Sequence, residues 1–325
     1  MRLVGDIGGT HARFAIADER DRISRVRVLH CADFSGPEQA VRRYLALEPM
    51  VQPRQAAFGI ATPVSGDDVA MTNHHWRFSV DALHQALGLQ RLLLLNDFTA
   101  LALALPLLTA DDYHAVGGGS TIDPAAIALL GPGTGLGVSG LLPAGGHHVP
   151  LQGEGGHVTL AARNRREAEV IDWLRQHSDH VSAERVLSGP GLISLHDAVR
   201  ALAGRPAVSL PSEQISARAM SNTCVYCSEA LDLFCALLGT VAADLALTLG
   251  ARGGVYLGGG IIPRLGDFFA RSPFRQRFED KGRFSAWLAR IPTRVIDAPY
   301  AALAGAAAAL KSPVRIGYEA AERAQ

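Results

Sequence analysis

One pattern occurs twice in this chain and limits its possible folds severely. Arg2–Ile7 is a short apolar run that ends in Gly8-Gly9-Thr10, and strand-like Ala12–Ala17 and Val26–His30 follow it. Ile127–Leu130 runs into a glycine loop, Gly131–Gly137, and strand-like Val138–Leu142 follows. Both stretches read as strand, Gly/Thr-rich turn, strand. The recurrence predicts two related halves facing each other, each opened by an antiparallel hairpin.

Between and after these stretches, strands alternate with helices. Glu38–Leu47 has helical spacing, and Ala56–Ile60 reads as a buried strand. Ser79 is placed to N-cap a helix through Leu87, because Val80, Leu83 and Leu87 then share a face. Arg91–Leu95 is an aliphatic strand, with Asn96-Asp97 opening the next helix. Helices are expected at 165–177, 182–187, 191–203, 213–221 and 228–249, strands at Gly254–Leu257 and Thr293–Asp297, and an Ala-rich helix to about Leu310. Such alternation indicates an α/β fold. With 325 residues, two domains are expected. The crossings fall near Leu105–Leu107 and Ala298–Tyr300, giving a small domain of residues 1–105 plus 299–325 and a large domain of 106–298.

Composition removes several function classes. The 31 basic and 31 acidic residues cancel, so no basic footprint for nucleic acid exists. Apolar runs such as Ala100–Leu108 are shorter than the roughly 20 residues that span a bilayer, and the apolar helix after Cys227 carries Asp232 and Asp244 and reads as core. A soluble, cytoplasmic protein is expected. Only two lysines occur, Lys281 and Lys311, neither following a glycine as a Walker loop requires, and none lies early enough for a protein kinase. A phosphate-handling chain of this composition needs another fold. Four cysteines suit a reducing compartment. Cys224 and Cys227 form a C-x-x-C, but a zinc or redox reading wants a second pair or a nearby histidine, and the sequence around them offers neither.

The candidate chemistry lies at the ends of strands. In Gly5-Asp6-Ile7-Gly8-Gly9-Thr10, consecutive amides of a turn could cradle a phosphate, and Asp6 could hold Mg²⁺ directly or through water. A tight hairpin with a capping Asp would read the same way. Gly133-Thr134-Gly135 sits in the second glycine loop, whose spacing does not fit the dinucleotide fingerprint. Asp97, at the C-terminal end of a buried strand, could accept a hydroxyl proton or merely N-cap its helix, and Asn96 could bond a neighbouring hydroxyl. Glu154 and His157, separated by two glycines, suit polyol recognition better than a helical metal site, and Glu184 could add a contact or be an ordinary first-turn residue. Thr72–Trp76 is a polar loop or the lip of a cleft. Gly258, Gly259 and Gly260 could admit a flat group such as adenine, or allow close helix–strand packing.

Taken in order, GDIGGT-AR, AMTNHHWRFS, NDFTALA, GPGTGLGV, GEGGHV, VSAERVLSGPGL, GGVYLGGGIIPR and FEDKGRF resemble the bacterial ATP-dependent glucokinase family of the actin/hexokinase-like superfamily. They span Gly5 to about Phe284. The resemblance implies an α/β, two-domain actin/hexokinase-like (ribonuclease H-like) fold with glucose and ATP in a cleft between a small and a large domain. It also implies a homodimer. By the same resemblance Asp97 is the general base, and Asn96, Glu154, His157 and Glu184 are sugar ligands. Asp6–Thr10 and Gly133–Gly137 form the phosphate clamp, with Gly258–Gly260 near adenosine. His11 stands where the family usually has asparagine, and Asp297–Leu310 is richer in alanine than usual. The related repressor-and-sugar-kinase group carries a cysteine-rich zinc motif soon after the sugar-binding histidine; no cysteine lies between His157 and Cys224 here, which disfavours it. Kinases of other hexoses and a non-catalytic sugar sensor are the rival readings.

Overall fold

Successive turns and strands of the first hairpin set the plan of the N-terminal sheet in the computed structural model, which describes residues 1–320. The strands in chain order are β1 (Arg2–Ile7), β2 (His11–Ala17), β3 (Ile23–His30), β4 (Gln55–Ile60), β5 (Asp68–Ala70), β6 (Arg77–Ser79) and β7 (Arg91–Asn96). They continue as β8 (Tyr113–Ala115), β9 (Ile127–Pro132), β10 (Leu136–Ala144), β11 (His147–Pro150), β12 (Gly254–Leu257), β13 (Thr293–Ile296) and β14 (Tyr318–Glu319). Chain contacts divide the molecule into two compact units. The first comprises Met1–Asp111, Leu141–Gln152 and the segment from Ala298, and the second comprises Asp112–Gly140 and Gly153–Asp297. The segment Leu141–Gln152, assigned from sequence to the large domain, clusters with the first unit.

In the first unit the sheet runs β14-β7-β4-β1-β2-β3. β1, β2 and β3 form the antiparallel meander, whereas β1, β4 and β7 are parallel. Parallel strands need crossovers, and the helices Pro37–Leu47 and Val80–Leu87 supply them. The register pairs Asp6 with Gly59 and Ile60 with Asn96, so the C-terminal ends of β1, β4 and β7 lie side by side. One face is packed by Leu3, Ile7, Phe14, Tyr44, Phe58 and Trp76, all essentially inaccessible. The Ala-rich helix Ala301–Ala309 packs on the helix Asp97–Ala104 and on β1. Small side chains permit this: a Cβ on Gly305 would stand 1.7 Å from the Ala100 carbonyl oxygen. Alanine enrichment therefore serves the docking of this helix.

The second sheet, built on β8, β9, β12 and β13 of the second unit, has the order β11-β10-β9-β12-β13-β8, with β12 parallel to β9 and β13. Starting at the third strand of each meander, both sheets follow one plan: third, second, first, fourth, fifth. This is the duplication that the two glycine turns predict. The core is built on the helix Val225–Leu249, which is long and apolar enough to cross a membrane but is mostly buried, with its Phe234, Leu238, Ala242 and Ala246 among the interior residues of this unit.

Several element ends differ from the sequence reading. The stretch Gly131–Gly137 is mostly strand, and only Gly133–Gly135 forms the turn, closed by Gly133 N–H donating to Gly135 O at 2.8 Å. The helix at 228–249 begins at Val225, with Cys224 as its N-cap. β5, β6, β8, β11 and β14 are strands of two to four residues that periodicity alone does not reveal.

Candidate active site

The first unit carries an acidic cluster where β1 and β7 end. β7 leads directly into the helix Asp97–Ala104, and the N-cap is Asn96 rather than Asp97. Asn96 Oδ1 accepts from Phe98 N–H (2.9 Å) and Thr99 N–H (3.2 Å). Asp97 is the first helical residue, so capping does not consume its whole carboxylate: Oδ1 accepts from Phe98 N–H (2.9 Å) and Asn96 Nδ2 (3.0 Å). Asn96 thereby helps to hold Asp97, with a further long contact from Nδ2 to Thr62 O at 3.5 Å.

Asp6 stands two strands away, at the end of β1. Gly59 of β4 lies between them, and a Cβ there would be 3.1 Å from Ala100 Cβ and 3.4 Å from Asp97 Cα. Glycine is what lets the Asp97 helix approach the sheet this closely. Burial pushes the Asp97 carboxyl up to about 7, and the neighbouring Asp6 charge adds to the shift. Burial also raises Asp6, opposed by Arg13, whose Nη1 lies 3.0 Å from Asp6 Oδ2. Two carboxylates facing each other's field, one of them near neutrality, are suited to general-base work.

The first glycine turn borders this cluster in sequence and in space. Gly8 N–H donates to His11 O (2.9 Å), and a Cβ on Gly9 would be 3.1 Å from Asn73 O. The polar loop at 72–76 therefore lies against this turn, anchored by buried Trp76, whose Nε1 donates to Phe34 O at 3.0 Å. His11 is exposed and meets His30 edge-on, with ring centroids 5.3 Å apart.

The second unit gathers the other candidates. Gly155–His157 is a single 3₁₀ turn, closed by His157 N–H to Glu154 O at 3.0 Å, which places both side chains on one side. His157 Nε2 is 4.0 Å from Glu154 Oε2 and 3.9 Å from Glu184 Oε1. Glu184 is fixed by its other oxygen, Oε2, which accepts from Leu136 N–H at 2.8 Å. A Cβ on Gly135 would strike that same Oε2 at 2.4 Å, so the second glycine turn and the acidic residue are fitted to each other. Gly258 and Gly259 pack backbone to backbone on this loop: a Cβ on Gly131 would be 2.5 Å from Gly258 C, and one on Gly259 would be 2.4 Å from Pro132 O. Gly259 also has φ +79°, a conformation that glycine adopts freely. Close packing thus accounts for Gly131 and Gly259, while a Cβ on Gly133 or Gly260 would meet open space.

Asn96, Asp97, Asp6 and the Gly8-Gly9-Thr10 turn are therefore neighbours in the first unit, and Glu154, His157, Glu184 and the Gly133-Thr134-Gly135 turn are neighbours in the second. Sequence reasoning misses Arg13 and Gly59. The hairpin alone could have pointed to Arg13, since a turn at residues 8–10 makes Asp6 and Arg13 a cross-strand pair. Gly59 carries no local signal; its role depends on a helix that begins thirty-eight residues later. The C-x-x-C also changes meaning. The sequence places no histidine near it, but the fold brings His196 within reach of both thiols.

The family model described as Glucokinase matches residues 3–313. A glucokinase of Aromatoleum aromaticum is 61% identical over 311 residues, covering 95% of this chain and 94% of that protein. One from Chromobacterium violaceum is 52% identical over 309 residues, covering 95% and 89%. Among solved structures, a glucokinase from an Antarctic psychrotroph superposes with a TM-score of 0.85 at 38% identity, covering 95% of this chain and 98% of that one. With its matched residues running almost from end to end, the chain belongs to the glucokinase family.

Proposed function

We propose that this chain is a glucokinase that transfers the γ-phosphoryl group of ATP to the 6-hydroxyl of glucose, yielding glucose 6-phosphate and ADP. The observation that carries the mechanism is Asp97: a carboxylate at the end of a parallel strand, held by Asn96 and a backbone amide, and raised to about 7. In the reading, Asp97 accepts the proton of the attacking hydroxyl as the phosphoryl group transfers in line. Asn96, Glu154, His157 and Glu184 recognise the sugar hydroxyls, the carboxylates as acceptors and the amide and imidazole as donors. Asp6–Thr10, Gly133–Gly135 and Gly258–Gly260 take the nucleotide.

Asp6 fits Mg²⁺ by the chemistry of its donor set, a hard oxygen ligand beside a second carboxylate whose charge one arginine does not balance. Bound with the nucleotide, the ion would offset charge on the phosphate oxygens. Asp6 would hold it directly or through water, while Arg13 fixes the carboxylate's orientation. The enzyme is read as a cytoplasmic homodimer, with neither nucleic acid nor membrane among its partners. The family's activity and the neutral charge balance support that reading.

Steady-state ADP release with Mg·ATP and a panel of glucose, mannose, glucosamine and fructose tests the proposal. The expected result is the highest kcat/KM for glucose. Preference for another hexose refutes the substrate assignment. No ADP release with any sugar, alongside measurable sugar binding, refutes the kinase reading in favour of a sensor.

A further inference from the structure

We infer that His196, Cys224 and Cys227 form a binding site for a thiophilic divalent cation of the zinc class. A ring nitrogen of His196 and the Sγ atoms of Cys224 and Cys227 all lie within 4.8 Å of one another. A tetrahedral zinc needs ligand atoms about 3.5–3.8 Å apart, given Zn–S and Zn–N bonds of about 2.3 and 2.0 Å. Rotamer adjustments of about 1 Å therefore close the site around the ion.

A second observation points to a ligand independently. His196 is fully buried on the helix Gly189–Leu202, and neither ring nitrogen makes a hydrogen bond. An imidazole left so costs the desolvation of both nitrogens, which an occupant of the site would recover. Asp197 Oδ1 stands 3.5 Å from His196 Nδ1, an ion-pair distance rather than a hydrogen bond. That placement suits the carboxylate partner which commonly orients a metal-bound histidine, and it leaves Nε2 to face the metal. Ser228, one turn beyond Cys224 on the same helix, holds another buried hydroxyl with no partner.

Charge and access fit as well. Two thiolates would neutralise a divalent cation, so the occupied site adds no net charge to the interior. Cys224 is the N-cap of the helix Val225–Leu249, where the helix dipole favours a thiolate. It is also partly exposed, giving the ion an entry path and a fourth position open to water, whereas Cys227 is buried. Occupied, the site would tie two helices of the second unit's core together.

The test uses the full-length reduced enzyme and Co²⁺ alone as probe. The proposal expects one cobalt per chain, with a thiolate-to-cobalt charge-transfer band that zinc abolishes by displacement. Cys224→Ser, Cys227→Ser and His196→Asn should each weaken binding by more than about 100-fold, and Asp197→Asn by about tenfold, while Cys31→Ser leaves it unchanged. Because a ligand variant could fold poorly, the wild-type chain provides a second reading: zinc should protect Cys224 and Cys227, identified by mass spectrometry, from alkylation. Absence of the charge-transfer band, cobalt binding unaffected by Cys227→Ser, or alkylation unchanged by zinc each overturns the proposal.

Discussion

Replacing Asp97 with asparagine should make the enzyme slower and more stable at once, and the stability gain should depend on pH. The substitution keeps the shape, and the amide oxygen of the new side chain can still accept from Phe98 N–H and Asn96 Nδ2 as the carboxylate does. What it removes is a charge that the fold disfavours. The Asp97 carboxyl is raised from 3.8 to about 7, so between those values the folded chain holds a proton that the unfolded chain has released. By linkage, wild-type stability then falls as pH rises through this window, and the whole cost is present above about pH 7. About three units at 1.36 kcal/mol each set a ceiling of about 4 kcal/mol. The side chain keeps some contact with solvent, which reduces the effect to roughly 2–3 kcal/mol.

Asparagine cannot ionise, so the two chains should be equally stable near pH 4 and diverge above it. At about pH 8 the Asp97→Asn variant should melt higher by roughly 4–12 °C, taking about 2–4 °C per kcal/mol. Its kcat should fall by about 10²–10⁴-fold for loss of a positioned base. Thermal melts of both chains across this pH range, with kcat measured at about pH 8, provide the check. A stability difference that does not change with pH, or a variant that melts lower than wild type at pH 8, would refute the claim that burial and Asp6 raise this carboxyl. Near-wild-type kcat would refute its role as base.

Three further outcomes follow from the same geometry. The pH profile of kcat should fall on the acid side with a midpoint near 7, where Asp97 gains its proton, and Asp6→Asn should move that midpoint downward by removing a like charge; an unmoved midpoint contradicts the coupling. Gly305→Ala should destabilise the first unit by more than about 3 kcal/mol in urea melts, because its Cβ would lie 1.7 Å from Ala100 O and neither helix backbone can yield cheaply; a loss below about 1 kcal/mol contradicts the packing. Glu184→Ala should raise the glucose KM and cost about 1–3 kcal/mol of stability by orphaning the Leu136 N–H, whereas Glu184→Gln should restore the stability but not the affinity; equal stability of all three chains contradicts the anchoring bond.

Legibility of this molecule in its sequence tracks how local each determinant is. The helix Val80–Leu87 is written in adjacent residues: Ser79 Oγ accepts from Ala82 N–H at 3.0 Å, Gly88 ends the helix at φ +63°, and the apolar spacing lies between. The two glycine turns are equally plain, and their repetition leads to the duplicated sheet plan. Asp97 is legible as a candidate base, but its place in the helix is not. Both Asn96 and Asp97 are good capping residues, and the choice between them rests on backbone angles at Asn96 (φ −62°, ψ 147°) that composition does not encode.

What the sequence hides most completely is long-range. Gly59 looks like any strand glycine until the Asp97 helix crosses it, and Gly305 like a blemish in a poly-alanine helix until Ala100 presses on it. The thiol pair is the sharpest instance. The pair Cys224 and Cys227 lacks a histidine in its own neighbourhood, and the ligand that completes the cluster lies twenty-eight residues upstream on another helix. Motif spacing tests ligands only when one element, or two joined by a short loop, supplies them all. Here the packing of the helices Gly189–Leu202 and Val225–Leu249 makes the juxtaposition, within an apolar core to which they contribute Leu192, Leu195, Leu231 and Phe234, residues that carry no metal signature. A hydrophobic core thus sets the spacing of the ligands, so enlarging Ala198, buried in that core on the helix Gly189–Leu202, should shift this helix and weaken cobalt uptake while leaving all three ligands in place.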